Sequence, residues 1–318
     1  MKKYPLILDC DPGVDDVFAI LLAHSTPEID LKVICSVSGN AGIEKTTYNA
    51  QLIAGLLGAK TIIAEGASRP LIKEAPPIGT VHGTDGLGGY AKGFGEDRLA
   101  PISSMKALDV YRKILLESEE PVYIAAVGPL TNLAILFLAY PEVKSKIAAV
   151  SIMGGGIRRG NITPYSEYNF YKDPEAADIV MKSGVKLLLC GLDVTQKATL
   201  SEKEMKSLKE SQNEFSDFSV KILSSYIAKD AAIHDPCAIL ALTNPEKFIY
   251  EDQYVEIDTR EGITRGMSYV DNRKNQEKKP NCRVFYDMDL DFFRKSMLDA
   301  LEHEASKKPD ENKSPNDQ

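Results

Sequence analysis

The amino-acid sequence predicts an α/β fold, an open and mostly parallel sheet with helices on both faces. Three observations carry that prediction. Apolar runs of strand length alternate with helical stretches from residue 5 to residue 193. The runs are apolar nearly throughout rather than at every second position, the mark of strands buried on both faces. Hydrophobic residues make up 43% of the 318, enough to fill a sizeable core between two helical layers.

PLILDC, residues 5–10, is the first strand. DDVFAILLAHS, 15–25, reads as a helix with carboxylates in its first turn, where the helix dipole favours them. LKVICSVSGN (31–40) is a strand, KTTYNAQLIAGLLGA (45–59) a helix and TIIAEG (61–66) a short strand. Residues 65–101 form a Gly- and Pro-rich loop, and loops of that length are commonly functional. PVYIAAVGPLTNLAILFLAY (121–140) reads as strand, turn and helix, with Pro129 placed to start the helix. KIAAVSIMGGG (146–156) is a strand running into glycines. DPEAADIVMKSG (173–184) is a helix closed by Gly184, and VKLLLCGLD (185–193) another strand. Polar helices follow over 200–231 and a short helix over 234–244. Residues 253–271 and 282–287 read as strands, with a hairpin among them, and 292–305 as the last helix. One domain is expected over 1–305. Residues 306–318 lack an apolar anchor and read as a disordered tail.

The formal net charge of −8 disfavours a nucleic-acid or anionic-membrane partner, which needs a basic face. No leader pattern opens the chain, and no apolar run approaches the roughly 18 residues of a membrane span. Cys10, Cys35, Cys190, Cys237 and Cys282 are scattered and form no C-x-x-C. They read as reduced, buried thiols of a cytoplasmic protein.

In an open parallel sheet, ligands bind beyond the carboxyl ends of the strands. Asp11, Asp15 and Asp16 follow the first strand, Asn40 the second and Asn132 the run YIAAVG. Three glycines and then GNITPYSEYNFYKDPEAA follow VSIM. Such ends hold oxygen donors and amides, which suit a hard cation and a polyol. A helix cap or a turn accounts for one of the aspartates, Asp15 or Asp16 in the first case, Asp11 before Pro12-Gly13 in the second. Neither accounts for all of them at one strand end, because crowded carboxylates repel. A divalent cation resolves the crowding.

Of the four histidines, His24 and His303 are expected at the surface. His82 lies in the long glycine-rich loop, and His234 precedes Asp235-Pro236. The ordinary account of that pair is an N-cap followed by Pro at N1, with His234 a buried neutral ring. GLGGYA (86–91) fits a dinucleotide-type glycine spacing but neither follows a strand nor opens a clear helix. MGGG (153–156) permits close backbone approach. Cys10 and Cys237 lack a partner spacing that would make either a nucleophile.

DCDPGVDD (9–16), GN (39–40), GPLTNLA (128–134), MGGG (153–156), GNITPYSEYNFYKDPEAA (160–177) and HDPCA (234–238) together resemble the inosine-uridine nucleoside hydrolase family. They stand in that family's order and at about its spacing, and the resemblance runs from about residue 4 to 303. It implies a nucleoside hydrolase fold with a Rossmann-like core. The implied activity is Ca²⁺-dependent hydrolysis of the N-glycosidic bond of ribonucleosides to free base and ribose, as in nucleoside salvage. The implied Ca²⁺ ligands are Asp11, Asp16, Asp235 and the carbonyl of Val127, where many relatives carry another residue. Asp15 and Asn40 would hold the 2′ and 3′ side of the ribose, and Asn161, Glu167 and Asn169 the 3′ and 5′ hydroxyls. His234 would lie near the base, with His82 close by. Family members are commonly homodimers or homotetramers.

Physical chemistry agrees with those roles. Ca²⁺ takes six to eight oxygens, so three carboxylates and a carbonyl leave room for water and two ribose hydroxyls. Ca²⁺ acidifies water only modestly, so Asp11 is the expected general base. Direct attack by water held at the ion inverts the anomeric carbon, and the acidic floor stabilises the positive charge that develops on the sugar. His234 is the expected acid for the leaving base. Some purine-specific members of the family stack the base between tryptophans, which this chain lacks, and His82 with His234 in an HDP context resembles the pyrimidine-preferring or non-specific branch. Tyr226 and Phe218 are candidates for the base pocket, with ordinary packing the alternative. Asp9 is left to support the loop from behind the ligands.

Two other classes compete. DCD at a strand end is shared by haloacid-dehalogenase-like phosphotransferases, but that pattern wants Thr or Val where Gly13 stands, and it leaves HDP and EYN without a role. A non-catalytic nucleoside-binding protein would not need the full ligand set.

Overall fold

The strand that carries the acidic motif, β1 (Tyr4–Cys10), lies inside an eight-stranded sheet in a computed structural model of the protein. The structure describes residues 3–73, 81–92, 94–201, 204, 214–273 and 278–306. From β1 the chain passes through α1 (Val14–Ser25), β2 (Ile29–Ser36), α2 (Ile43–Leu56) and β3 (Ile62–Glu65). It continues through α3 (Ala107–Glu117), β4 (Val122–Ala126), α4 (Thr131–Ala139), β5 (Ile147–Met153), α5 (Tyr168–Lys172), α6 (Pro174–Met181) and β6 (Leu187–Cys190). Then come α7 (Leu192–Thr195), α8 (Glu214–Ile227), α9 (Pro236–Thr243), β7 (Phe248–Gln253), β8 (Val255–Ile257), β9 (Ser268–Val270), β10 (Cys282–Met288) and α10 (Leu290–Ser306).

The strand order is β3-β2-β1-β4-β5-β6-β10-β7. Neighbours pair in parallel except β10 with β7, which is antiparallel. The order runs outward in one direction from β1 to β3 and in the other from β4 to β6. The reversal between β1 and β4 opens a crevice at their carboxyl ends, where such sheets bind ligands.

Strand alternation sorts the core into two layers. Leu6, Leu8 and Cys10 of β1 pack with Phe18, Ile222, Ile239 and Phe293 on the layer of α1, α8, α9 and α10. Ile7 packs with Tyr111, Leu133 and Val180 on the layer of α3, α4 and α6. Asp9 shares the parity of Ile7 and so faces the second layer.

Several expectations shift. VKLLLCGLD is strand only to Cys190, and Gly191 starts α7. Pro129 precedes the α4 cap, Leu130, rather than opening the helix. The hairpin is β8 with β9. The edge strand β7, α3 and α5 had no counterpart in the sequence reading. His24 is half-buried, 3.9 Å from Glu304, rather than at the surface. Residues 202–203 and 205–213 of the expected polar helices, and 307–318 of the expected tail, lie outside the described residues.

Candidate active site

The chain leaves β1 at Cys10, bends through Pro12 and Gly13 and enters α1 with Gly13 as its extended N-cap. Asp11, Asp15 and Asp16 are all buried on this turn. Asp16 performs the ordinary capping task. Its Oδ2 accepts the Gly13 N–H at 2.8 Å and its Oδ1 the Asp11 N–H at 3.2 Å. The Asn40 side chain donates to Asp16 Oδ2 at 3.2 Å, and the Asn40 N–H to Asp11 Oδ2 at 2.6 Å. Capping does not account for the rest, because Asp11 Oδ1 and Asp15 Oδ1 are buried without a hydrogen bond.

Asp235 comes from far along the chain. It stands at the N-cap position of α9 with Pro236 at N1, the place the ordinary account gives it, yet its side chain makes no capping bond. It turns to the acidic turn instead. Oxygens of Asp15, Asp16 and Asp235 lie within 4.8 Å of one another, a spacing that one cation can span. The ligand set implied by the sequence shares Asp16 and Asp235 with this triangle. Asp15 takes the third corner, and Asp11 is joined to Asp16 through its own N–H.

Burial and mutual repulsion weaken these acids. Burial first, then the charge of Asp16, raises Asp15 to about 7, and burial raises Asp16 to about 6. Asp11 and Asp235 are pushed well above the usual carboxylate range, again by burial first and neighbouring carboxylates second. Every strong donor within the cluster is an oxygen, which matches a hard cation.

Asp9 stands apart. Its Oδ2 accepts the Tyr111 hydroxyl at 2.6 Å and the Asn132 amide at 2.8 Å. Asn132 also donates to Ser36 O and accepts the Ala67 N–H, tying the ends of three adjacent strands together.

Above the carboxylates opens a cavity of about 280 Å³. Asp15, Asn40, His82, Asn161, Glu167 and Asn169, the expected substrate residues, all reach its wall. So do Val127, His234 and Asp235, whereas Asp11 and Asp16 are not part of it. Glu167 caps α5, its oxygens accepting the N–H groups of Asn169, Phe170 and Gly155 at 2.8, 3.1 and 2.7 Å. Asn169 donates to the carbonyls of Val127 and Met153 at 2.8 and 3.1 Å. Asn161 accepts the Tyr168 N–H. The glycine run does permit close approach: a methyl at Gly154 or Gly155 would strike the Phe170 ring, and Gly155 has φ +66°.

The two histidines differ. His82 Nδ1 accepts the Val14 N–H at 3.1 Å, so the neutral ring carries its proton on Nε2. Burial and the neighbouring His234 lower it to about 4. Its ring stacks on Tyr226, centroids 5.3 Å apart. His234 meets Thr195 Oγ1 through Nδ1 at 2.8 Å and Asp230 Oδ2 through Nε2 at 3.2 Å. Burial works to lower it, but the Asp230 bond and the charges of Asp15 and Glu167 outweigh burial and raise it.

Tyr226 lines the cavity, but Phe218 does not, packing edge-on against Phe94 in the core. The sequence reading missed Tyr168, Lys229 and Asp230 on the cavity wall and Thr195 behind His234. Tyr168 sits inside the EYN motif, and Asp230 stands four residues before His234, the two signals available.

Known proteins match nearly the whole chain. The family model of inosine-uridine preferring nucleoside hydrolases matches residues 6–295. The pyrimidine-specific ribonucleoside hydrolase RihA of Escherichia coli (strain SMS-3-5 / SECEC) is 40% identical over 311 residues, covering 95% of this chain and 99% of its own. A purine-preferring ribonucleoside hydrolase from Gardnerella vaginalis superposes with a TM-score of 0.87 at 27% identity, over 95% of this chain and 99% of that one. A plant nucleoside hydrolase does so with a TM-score of 0.85 at 27% identity, over 94% and 98%. No helix among the described residues is long and apolar enough to cross a membrane. With the fold and nearly the whole length in agreement, the chain belongs to the inosine-uridine preferring nucleoside hydrolase family and is a glycosidase acting on nucleosides.

Proposed function

We propose that the enzyme is a Ca²⁺-dependent, pyrimidine-preferring ribonucleoside hydrolase of cytoplasmic nucleoside salvage, releasing free base and ribose. One observation carries the reading: Asp11 Oδ1 and Asp15 Oδ1 are buried without a hydrogen bond at the acidic turn, beneath a cavity walled by amides. Asp9 Oδ1 is unpaired too, but only at the acidic turn do such oxygens crowd against further carboxylates, and that crowding calls for a cation. Asp11, Asp15, Asp16, Asp235 and the Val127 carbonyl are the oxygens available to hold it, and the loose oxygen coordination of Ca²⁺ suits them. When bound, the ion would neutralise the cluster and anchor the ribose diol. The pyrimidine preference is supported by the name of the 40%-identical relative and by the lack of tryptophan.

The chain's own residues then divide the work. Asp15 and Asn40 grip the 2′ and 3′ side of the sugar, and Asn161, Glu167 and Asn169 the 3′ and 5′ side. Asp11, made a stronger base by burial and by Asp16, takes the proton of the attacking water. Attack from the face opposite the base inverts the anomeric carbon, and the carboxylate floor favours the oxocarbenium-like charge. His234, held toward its protonated form by Asp230, breaks its Nε2 bond to Asp230 and gives that proton to the departing base, leaving a neutral ring. His82 and Tyr226 form an aromatic wall beside it.

The test is base release from uridine, cytidine and inosine, with Ca²⁺ and after chelation, for the wild type and Asp11→Ala. The reading expects uridine and cytidine to be cleaved faster than inosine, chelation to abolish release, and Asp11→Ala to lose nearly all of it. Release indifferent to chelation rejects the cation, and equal rates in wild type and variant reject Asp11. The phosphotransferase and non-catalytic alternatives fall with the family match.

A further inference from the structure

Asn49 has no part in the reaction described above. It lies in α2, 1% exposed, and its side-chain amide bridges two separate walls of the site. One hydrogen goes to Pro12 O in the acidic turn and the other to Asp85 O in the loop that bears His82, both at 2.9 Å. Both partners are acceptors, so the amide can face only one way. That orientation leaves Asn49 Oδ1 buried with no hydrogen bond. An unsatisfied buried oxygen is destabilising, which a residue serving only to pack a helix would avoid.

The loop is shaped to receive this bridge. The Asp85 carboxylate accepts the N–H groups of Leu87, Gly89 and Ala91 at 3.0, 2.8 and 3.1 Å, drawing residues 85–91 into one unit. Gly86 has φ +87°, and a methyl there would press on Asn49 Nδ2 and Pro12 O. Lys45, one turn earlier on α2, donates to Thr84 O at 2.7 Å. A second, direct link joins the same two walls, from the Val14 N–H to His82 Nδ1.

We propose that Asn49 is a positioning residue that couples the acidic turn to the base-side loop, so that a divalent cation bound at the turn orders the loop carrying His82. This rests on the reading of the acidic turn as a cation site. Without a cation, repulsion among Asp11, Asp15, Asp16 and Asp235 acts on the turn that holds Pro12 and Val14. Neutralising that repulsion favours one arrangement of the turn, and the two bridges pass the preference to the loop.

Hydrogen exchange of the full chain with and without Ca²⁺, paired with calorimetry of Ca²⁺ binding, tests the coupling. In the wild type, saturating Ca²⁺ should slow exchange of the segment 82–91 about tenfold, an ordinary size for coupling between sites. In Asn49→Leu, which removes both donors at similar volume and leaves only the Val14–His82 link, slowing over 82–91 should drop to about twofold while that over 9–16 persists, and kcat should fall about tenfold. Lys45→Met should keep the coupling, because it cuts only the outer tether. Should Asn49→Leu fail to fold, the wild type decides: Ca²⁺ binding by calorimetry with unchanged exchange over 82–91 overturns the coupling alone. Wild-type slowing of the loop in Asn49→Leu overturns it as well. No heat of Ca²⁺ binding overturns the cation reading, and the coupling with it.

Discussion

The backbone N–H of Val14 donates to Nδ1 of His82 at 3.1 Å, so a side chain 68 residues away completes the first turn of α1. The bond gives a helix terminus a partner that no local residue supplies. It also fixes Nε2 as the nitrogen of His82 that carries the proton.

Nitrogen-resolved NMR of the four imidazoles should therefore show His82 as the Nε2–H tautomer, titrating near 4, and His234 titrating above 6.5. The His82 value is lowered, so its contribution to stability is present above the unfolded value and is lost as pH falls through about 4. A common titration of both rings near 6.5 would reject the assignment.

The acidic turn behaves oppositely. Asp15 and Asp16 are raised to about 7 and 6, above their unfolded value near 3.8. The folded state holds those protons more tightly, so their stabilisation is complete below about 3.8 and is lost as pH rises through 6 and 7. Chelator-treated protein should lose melting temperature between pH 4 and about 7.5, and Ca²⁺ should restore more of it at the upper end. Scanning calorimetry across that range decides it, and a flat pH profile without the cation counts against the cluster.

Gly39→Ala should disable the site without dissolving the fold. A methyl there would collide with Asp11 Oδ2 and press on Pro129. Displacing Asp11 by even an ångström costs on the order of a hundredfold in rate when geometry matters. Steady-state kinetics beside a melting curve separates lost activity from lost structure.

Tyr111→Phe leaves a fully buried carboxylate, Asp9, short of one hydrogen bond. The cost to stability should be about 1–3 kcal/mol. Urea midpoints for the wild type and the variant measure it.

His234→Ala should slow inosine and uridine far more than a riboside with an activated phenolate leaving group, because only the poor leaving groups need a proton. An equal fold loss on all of them would remove His234 from the acid role.

The central strands were legible in the sequence because burial on both faces leaves no polar alternation to misread. Strand β7 was not: four of its six residues, Ile249 to Asp252, are exposed at the sheet edge, and edge position is a tertiary fact. The Gly191 break before α7 was hidden in a run that reads as strand to Asp193. Asp11, Asp15, Asp16 and Asn40 were legible because they follow the ends of β1 and β2, and Asp235 and Glu167 because they stand in recognisable short motifs. Tyr226 and Phe218 were not separable, since both belong to α8. Eight residues set them about 12 Å apart along the axis, so one reaches the cavity and the other stays in the core. Asp230 and Thr195 become visible only when the fold brings them to His234.

The parity of β1 has an evolutionary consequence. Consecutive residues Asp9 and Cys10 face opposite layers, and Asp11 follows at the strand's end. Losing or gaining one residue between Tyr4 and Cys10 would turn Asp9 away from Tyr111 and the carboxylate turn away from Asp235 in a single event. Length variation among relatives should therefore gather in exposed segments such as 260–263, while the count of residues from Tyr4 to Asp16 stays constant. That short stretch acts as a ruler whose graduations cannot be shifted one at a time.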